Sequence, residues 1–99
     1  MTRTLISYDI SSSPFRTRVA KSLRRAGATR LQRSVWIHVA TAQSRTQLRS
    51  DLDGLWTDAG ADDHLLWLPL SRNAVKDAYE LGAPFRVEMF DVPDSWVVW

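Results

Sequence analysis

The chain has 99 residues, enough for one domain and one core, with 44% hydrophobic content and five Trp to fill it. It holds no Cys, which excludes a disulfide scaffold, a thiolate zinc site and a thiol nucleophile, and no apolar run approaches the roughly 18 residues that a membrane span requires. The formal charge of +2 conceals a division: residues 1–50 hold ten Lys or Arg against one acid, Asp9, and residues 51–99 hold three against ten acids.

Residues 3–10 are expected to form a buried strand, because Leu5, Ile6, Tyr8 and Ile10 place apolar or aromatic groups on both faces. This opening reads as a strand and lacks the layout of a signal peptide, so a cytoplasmic protein is expected. Ser13 followed by Pro14 predicts a helix over residues 14–26, capped by Ser13 and ended by Gly27. Phe15, Val19, Ser22, Leu23 and Ala26 share one face of that helix, and the basic residues fall elsewhere around it. Residues 29–41, TRLQRSVWIHVAT, are extended and carry no Gly, Pro or Asn-Gly turn signal, so either one bent strand or two short ones would fit.

A second amphipathic helix is predicted over residues 43–59, with Leu48, Leu52, Leu55 and Trp56 at helical spacing, a Ser44–Gln47 capping box and Gly60 as its stop. HLLWLPL, residues 64–70, predicts a strand whose Pro69 belongs at an edge or an end. A short third helix is expected over residues 73–81, and two short apolar stretches over 85–90 and 96–99. The order β-α-β(β)-α-β in one domain predicts an α+β, ferredoxin-like sandwich, with two helices on one face of an antiparallel sheet. That domain spans residues 1–82, and residues 83–99 form a C-terminal strand and tail. Apolar residues on the other face would suit a second copy, giving a homodimer.

The net +9 of the first half points to a polyanion, because like charges repel unless an anion relieves them. Arg16, Arg18, Arg24, Arg25, Arg30 and Arg33 would then contact phosphates, whose oxygens a guanidinium fork matches; the alternative is an ordinary solvated helix face. No helix-turn-helix or zinc spacing is present, nor the aromatic signature of an RNA recognition motif, so binding would follow shape and backbone. Asp9 either caps local backbone N–H groups, or pairs with Arg16 or Arg18, or holds a metal. One carboxylate is a poor Mg²⁺ site, and a two-fold axis beside Asp9 would supply the second. His38 reads as a strand residue, and Asp62-Asp63-His64 as a turn leading into a strand. Tyr8 and Trp36 read as core or interface aromatics.

The strand end Tyr8-Asp9-Ile10, the helix start RTRVAKSL from Arg16, Gly27, and RLQRSVW from Arg30 to Trp36 together resemble the CRISPR-associated protein 2 family at its spacing. The likeness covers roughly residues 3–70. It implies a ferredoxin-like homodimer with facing sheets that bridges dimers of the CRISPR-associated protein 1 integrase and binds duplex DNA during spacer acquisition. It also implies metal-dependent endonuclease activity on RNA or DNA, with Asp9 binding Mg²⁺ across the dimer axis. Tyr8 is then a catalytic position beside Asp9, with Arg16, Arg18, Arg30 and Trp36 in support. Two departures stand out: the loop after Asp9 is Ser11-Ser12-Ser13-Pro14 where the family carries further Asp, and Trp36 replaces a Phe. Both spare the basic surface, so the DNA-bridging role transfers more directly than the nuclease role. In the tail, residues 86–90 alternate like an edge strand for the partner's sheet, and Phe90, Trp96 and Trp99 are expected to dock on the partner copy or the integrase. The rivals are a free-standing metal-dependent ribonuclease of toxin type and a non-catalytic RNA-binding module, and single-stranded RNA stands beside duplex DNA as an expected partner.

Overall fold

The computed structural model describes residues 1–83. Four strands, β1 (Thr2–Asp9), β2 (Thr29–Gln32), β3 (Val35–Ala40) and β4 (His64–Leu70), form one antiparallel sheet in the order β2-β3-β1-β4. Helix α1 (Ser13–Arg25) joins β1 to β2, and α2 (Ala42–Leu55) joins β3 to β4 through a 3-10 turn at Trp56–Asp58. A short helix α3 (Arg72–Lys76) follows β4. The architecture is α+β and compatible with a ferredoxin-like arrangement, in which each crossover helix skips one strand.

The core lies between the sheet and the two long helices. Ile6 and Tyr8 of β1 and Trp36 of β3 pack against Phe15, Val19 and Leu23 of α1 and Leu48 and Leu52 of α2. Burying these side chains supplies most of the stabilisation available to a chain of this size, about 1.5–3 kcal/mol each. Trp36 is 1% exposed, so the larger ring that stands at this position is accommodated inside the protomer. Its indole Nε1–H donates to the Tyr8 hydroxyl at 3.1 Å, so the polar end of the ring is satisfied within the core.

Several boundaries differ from the sequence expectation, each for a local reason. Ser12, not Ser13, caps α1: its Oγ accepts the Phe15 N–H at 3.3 Å, which places Pro14 in the first turn where no helical N–H is required. At the other end Gly27 adopts φ +82°. The Ala28 N–H reaches the Leu23 carbonyl and the Gly27 N–H that of Arg24, the two bonds that terminate a helix on a left-handed residue. Residues 29–41 fold as two strands joined at Arg33-Ser34, with a register shift between Arg30 and Gln32.

Thr41 replaces Ser44 as the cap of α2, because its Oγ1 accepts the Ser44 N–H at 3.2 Å. Gln47 therefore lies beyond the capping position and donates to Asp51 instead. The helix also stops before Gly60: the chain tightens at Trp56, and the Thr57 hydroxyl bonds back to the Gly54 carbonyl. Helix α3 begins at Arg72, capped by Ser71, and ends at Lys76, short of the expected residue 81. It buries none of its residues, and Tyr79 and Leu81 beyond it are 85% and 79% exposed, so no packed face extends it.

Strand β4 spans the expected residues and occupies a sheet edge, as Pro69 implied. On the sheet face away from the helices, exposure is confined more narrowly than expected. Ile37 is buried to 1%, whereas Leu66 and Leu68 on β4 stay 45% and 43% exposed. Among the described residues no helix is long and apolar enough to cross a membrane. The expected edge strand and the docking positions Phe90, Trp96 and Trp99 lie outside the described residues.

Candidate functional site

One end of the sheet gathers the sequence motifs. Asp9 is the last residue of β1, the β2–β3 turn lies beside it, and α1 begins a few residues on. The Tyr8 N–H donates to the Ser34 carbonyl at 3.1 Å, which holds the turn against β1. Tyr8, Asp9, Ile10, Arg16, Arg30, Arg33 and Ser34 line an open depression of about 450 Å³. Three arginines thus share the lining of this depression with one acidic residue.

The local partnerships that Asp9 had as alternatives are absent among the described residues: its carboxylate has no hydrogen bond or ion pair. Arg16 is engaged by the chain itself, its Nη1 donating to the Ile10 carbonyl and its Nη2 to Ser13 Oγ, both at 2.8 Å. Arg18 pairs instead with Asp58 at 2.9 Å. The Ser12 hydroxyl, rather than Asp9, serves the helix N-terminus. Asp9 is left exposed and uncommitted at the sheet end.

The other arginines divide by position. Arg30 donates to the Arg33 carbonyl from Nε at 3.1 Å and from Nη2, and its guanidinium lies 5.5 Å from the centre of the Trp36 ring. Arg24 approaches the same ring at 5.8 Å. Such contacts hold a cation over an aromatic face and fix its direction. Arg18, Lys21 and Arg25 line a second open groove of about 910 Å³ between α1 and α2, facing Ser44, Gln47, Ser50 and Asp51. The structure therefore brings Arg16, Arg30 and Arg33 together with Asp9, and places Arg18 and Arg25 in the groove. Tyr8 is 4% exposed, with its hydroxyl oxygen accepting from Trp36.

Asp62-Asp63 is a turn element, as expected. Asp63 accepts the Gly60 N–H at 2.8 Å, and its other oxygen accepts the Ser11 N–H at 3.1 Å and the Ser11 hydroxyl at 3.2 Å. The Gly60 and Ser11 N–H groups hold its carboxyl below the usual carboxylate range. This link ties the loop after β1 to the entry of β4. It also sets His64 directly opposite Asp9 in the β1–β4 register. Sequence reasoning missed that neighbour, because strand register is a property of the pairing and only the separate strand signals were visible.

His38 faces the helices from β3, 1% exposed, with its Nε2 3.2 Å from the Ala26 carbonyl. Burial pushes its pKa below the ordinary value, with Arg45 adding to the shift and the Ala26 carbonyl opposing it. It is a core histidine, as its strand position suggested.

Mg²⁺ takes hard oxygen ligands, usually one or two carboxylates with waters. Around Asp9 this chain supplies an imidazole and three guanidinium groups, and the nearby Asp63 carboxylate already accepts three hydrogen bonds. The donors of one chain do not fit Mg²⁺.

No curated protein matches this sequence. The sequence profile described as CRISPR associated protein Cas2 matches residues 1–78. That match takes in β1 with Asp9, the arginine-bearing helix and the β2–β3 turn, which together line the depression, and extends through β4. The chain belongs to the CRISPR-associated Cas2 family.

Proposed function

We propose that this chain is the duplex-binding, architectural subunit of a CRISPR adaptation complex, acting as a homodimer that bridges dimers of the Cas1 integrase. The observation that carries this reading is the placement of the cations. Arg30 and Arg33 stand at the β2–β3 turn and Arg16 at the start of α1, while Arg18, Lys21, Arg24 and Arg25 are exposed along that helix. A surface of this kind contacts phosphates without reading bases, which suits a protein that must accept any incoming sequence. The exposed Leu66 and Leu68 support a second copy on the far face of the sheet.

Charge reversal at Arg30 and Arg33 tests the reading by fluorescence anisotropy on a short duplex. Affinity should fall at least about tenfold near 0.1 M salt, and the slope of log K against log salt should flatten by about one for each phosphate that is no longer neutralised. An affinity indifferent to both charges would sink the proposal. Co-purification with the cognate integrase, with and without duplex, tests the bridging.

A second reading draws on the uncommitted Asp9 carboxylate: a metal-dependent nuclease, including a free-standing ribonuclease of toxin type acting on single-stranded RNA. Asp9→Ala separates the two. It should leave duplex binding and spacer acquisition intact if the role is architectural, and abolish cleavage of RNA or DNA if the role is catalytic.

A further inference from the structure

We propose that Asp58 regulates the cationic surface by occupying Arg18 in place of a phosphate, so that Arg18 joins the duplex only when a phosphate displaces that carboxylate. This rests on the duplex-binding reading above. A carboxylate and a phosphate present similar pairs of oxygens to a guanidinium fork, so the two compete for one arginine. Arg18 Nη2 donates to Asp58 Oδ2 at 2.9 Å, across forty positions of sequence. Other arginines of the surface are held differently. Arg16 donates to a carbonyl and a serine hydroxyl, Arg30 donates to carbonyls, and Arg24 and Arg30 lie against the Trp36 ring. Those partners are neutral and leave the charge for an anion, whereas a carboxylate offsets it.

Packing against the core fixes this carboxylate where it meets Arg18. Trp56 opens the 3-10 turn that carries Asp58, and its ring lies 5.5 Å from that of Phe15, three residues before Arg18 on α1. The Thr57 hydroxyl and the Ala59 N–H close the same turn on the Gly54 and Trp56 carbonyls. The Arg18 guanidinium lies 5.8 Å from the centre of the Phe15 ring, so ring and carboxylate together set its direction. The pair is placed but not tight. Its side chains are 49% and 58% exposed, and ion pairs in water add little to stability, so a phosphate takes the guanidinium at small cost. Arg18 is also the first of three cations along the α1–α2 groove, with Lys21 and Arg25 following at i+3 and i+7 on one helix face. About 10 Å of helix separates the ends of that row. Asp51, the carboxylate facing the row from α2, accepts instead from Gln47 on its own helix. Asp58 therefore withholds the first cation of the row and leaves the other two to meet the anion.

Fluorescence anisotropy of the full chain on a short duplex, as a function of salt, tests this. Asp58→Asn should raise affinity about two- to fivefold near 0.1 M salt and steepen the slope of log K against log salt by up to about one. Asp58→Ala, which also removes the acceptor, should do at least as much. The gain should vanish without its arginine: Arg18→Gln combined with Asp58→Asn should bind as Arg18→Gln alone does. Asp53→Asn makes the same charge change at an exposed position of α2 and should raise affinity less than about 1.5-fold, since salt screens a distant charge. Equal gains from Asp58→Asn and Asp53→Asn, a gain that survives Arg18→Gln, or no gain from either Asp58 variant would each overturn this inference. The duplex reading stands through all three results while binding still depends on Arg30 and Arg33. Binding indifferent to Arg30 and Arg33 overturns that reading and this inference with it.

Discussion

The two faces of the sheet use similar residues for different ends. Toward the helices, alternate positions of β1 and β3 carry Ile6, Tyr8, Trp36 and His38, each buried to 4% exposure or less. Away from the helices, the same strands and β4 present Leu5, Val35, Leu66 and Leu68, half-buried or exposed, and end on Asp9 and His64. The first face is finished within the protomer: the Trp36 indole finds Tyr8, and the rings of Phe15 and Trp56 meet at 5.5 Å. The second is left with apolar side chains and two uncommitted polar ones. A strand that is apolar on both sides therefore need not bury both in the same way, since one side closes the fold and the other is available for assembly.

The closed face gives the strongest test. Trp36→Ala should destabilise the protein by about 3–5 kcal/mol, measured by urea denaturation, because it empties a large buried site and leaves Tyr8 without its donor. A destabilisation below about 1 kcal/mol would mean that the helix-side core is not closed as described. The available face is tested next by Leu66→Asp combined with Leu68→Asp. Both positions are more than two-fifths exposed, so protomer stability should shift by no more than about 0.5 kcal/mol each. Sedimentation should nevertheless show that the proposed dimer has gone. An unchanged assembly would remove this face as the site of pairing.

The mildest effect concerns pH and returns to the closed face. His38 sits among the Ala26 carbonyl, Thr4 opposite it on β1, and Arg45 on α2, and its pKa in the folded state lies below the ordinary 6.5. The unfolded chain therefore binds the proton more readily. The contribution of neutral His38 is complete above about pH 6.5 and is lost as pH falls through its folded value. The urea midpoint should decline as pH drops from about 7 to 5, and His38→Gln should flatten that decline. An equally steep decline in the variant would place the acid sensitivity elsewhere.

Much of the fold was legible in the residues because its signals are local. HLLWLPL has the length and apolar character of a strand, and its proline marks the edge that it occupies. Gly27 stops α1 because a left-handed residue was required there. Less legible was anything set by competition between near-equivalent neighbours. Ser12 and Ser13 are both good caps, and Thr41 lies three residues before Ser44 with an equally suitable oxygen. The turn at Arg33-Ser34 was silent because the pair lacks the Gly, Pro or Asn-Gly of a customary turn, and the Tyr8–Ser34 backbone bond helps to hold it. At the site, Arg16, Arg30 and Arg33 were individually visible as basic residues. That Arg18 would pair with Asp58, forty positions away, and that His64 would face Asp9 depend on packing and register.

The Trp36 ring has a reach beyond the interior it fills. Arg24 and Arg30 both rest against it, so the direction of two surface cations is set by an indole that solvent scarcely touches. A substitution invisible from outside would therefore re-aim the arginines of the proposed phosphate surface without altering a single charge. Variants selected for altered nucleic-acid affinity would then be found in the hidden scaffold as well as among the arginines.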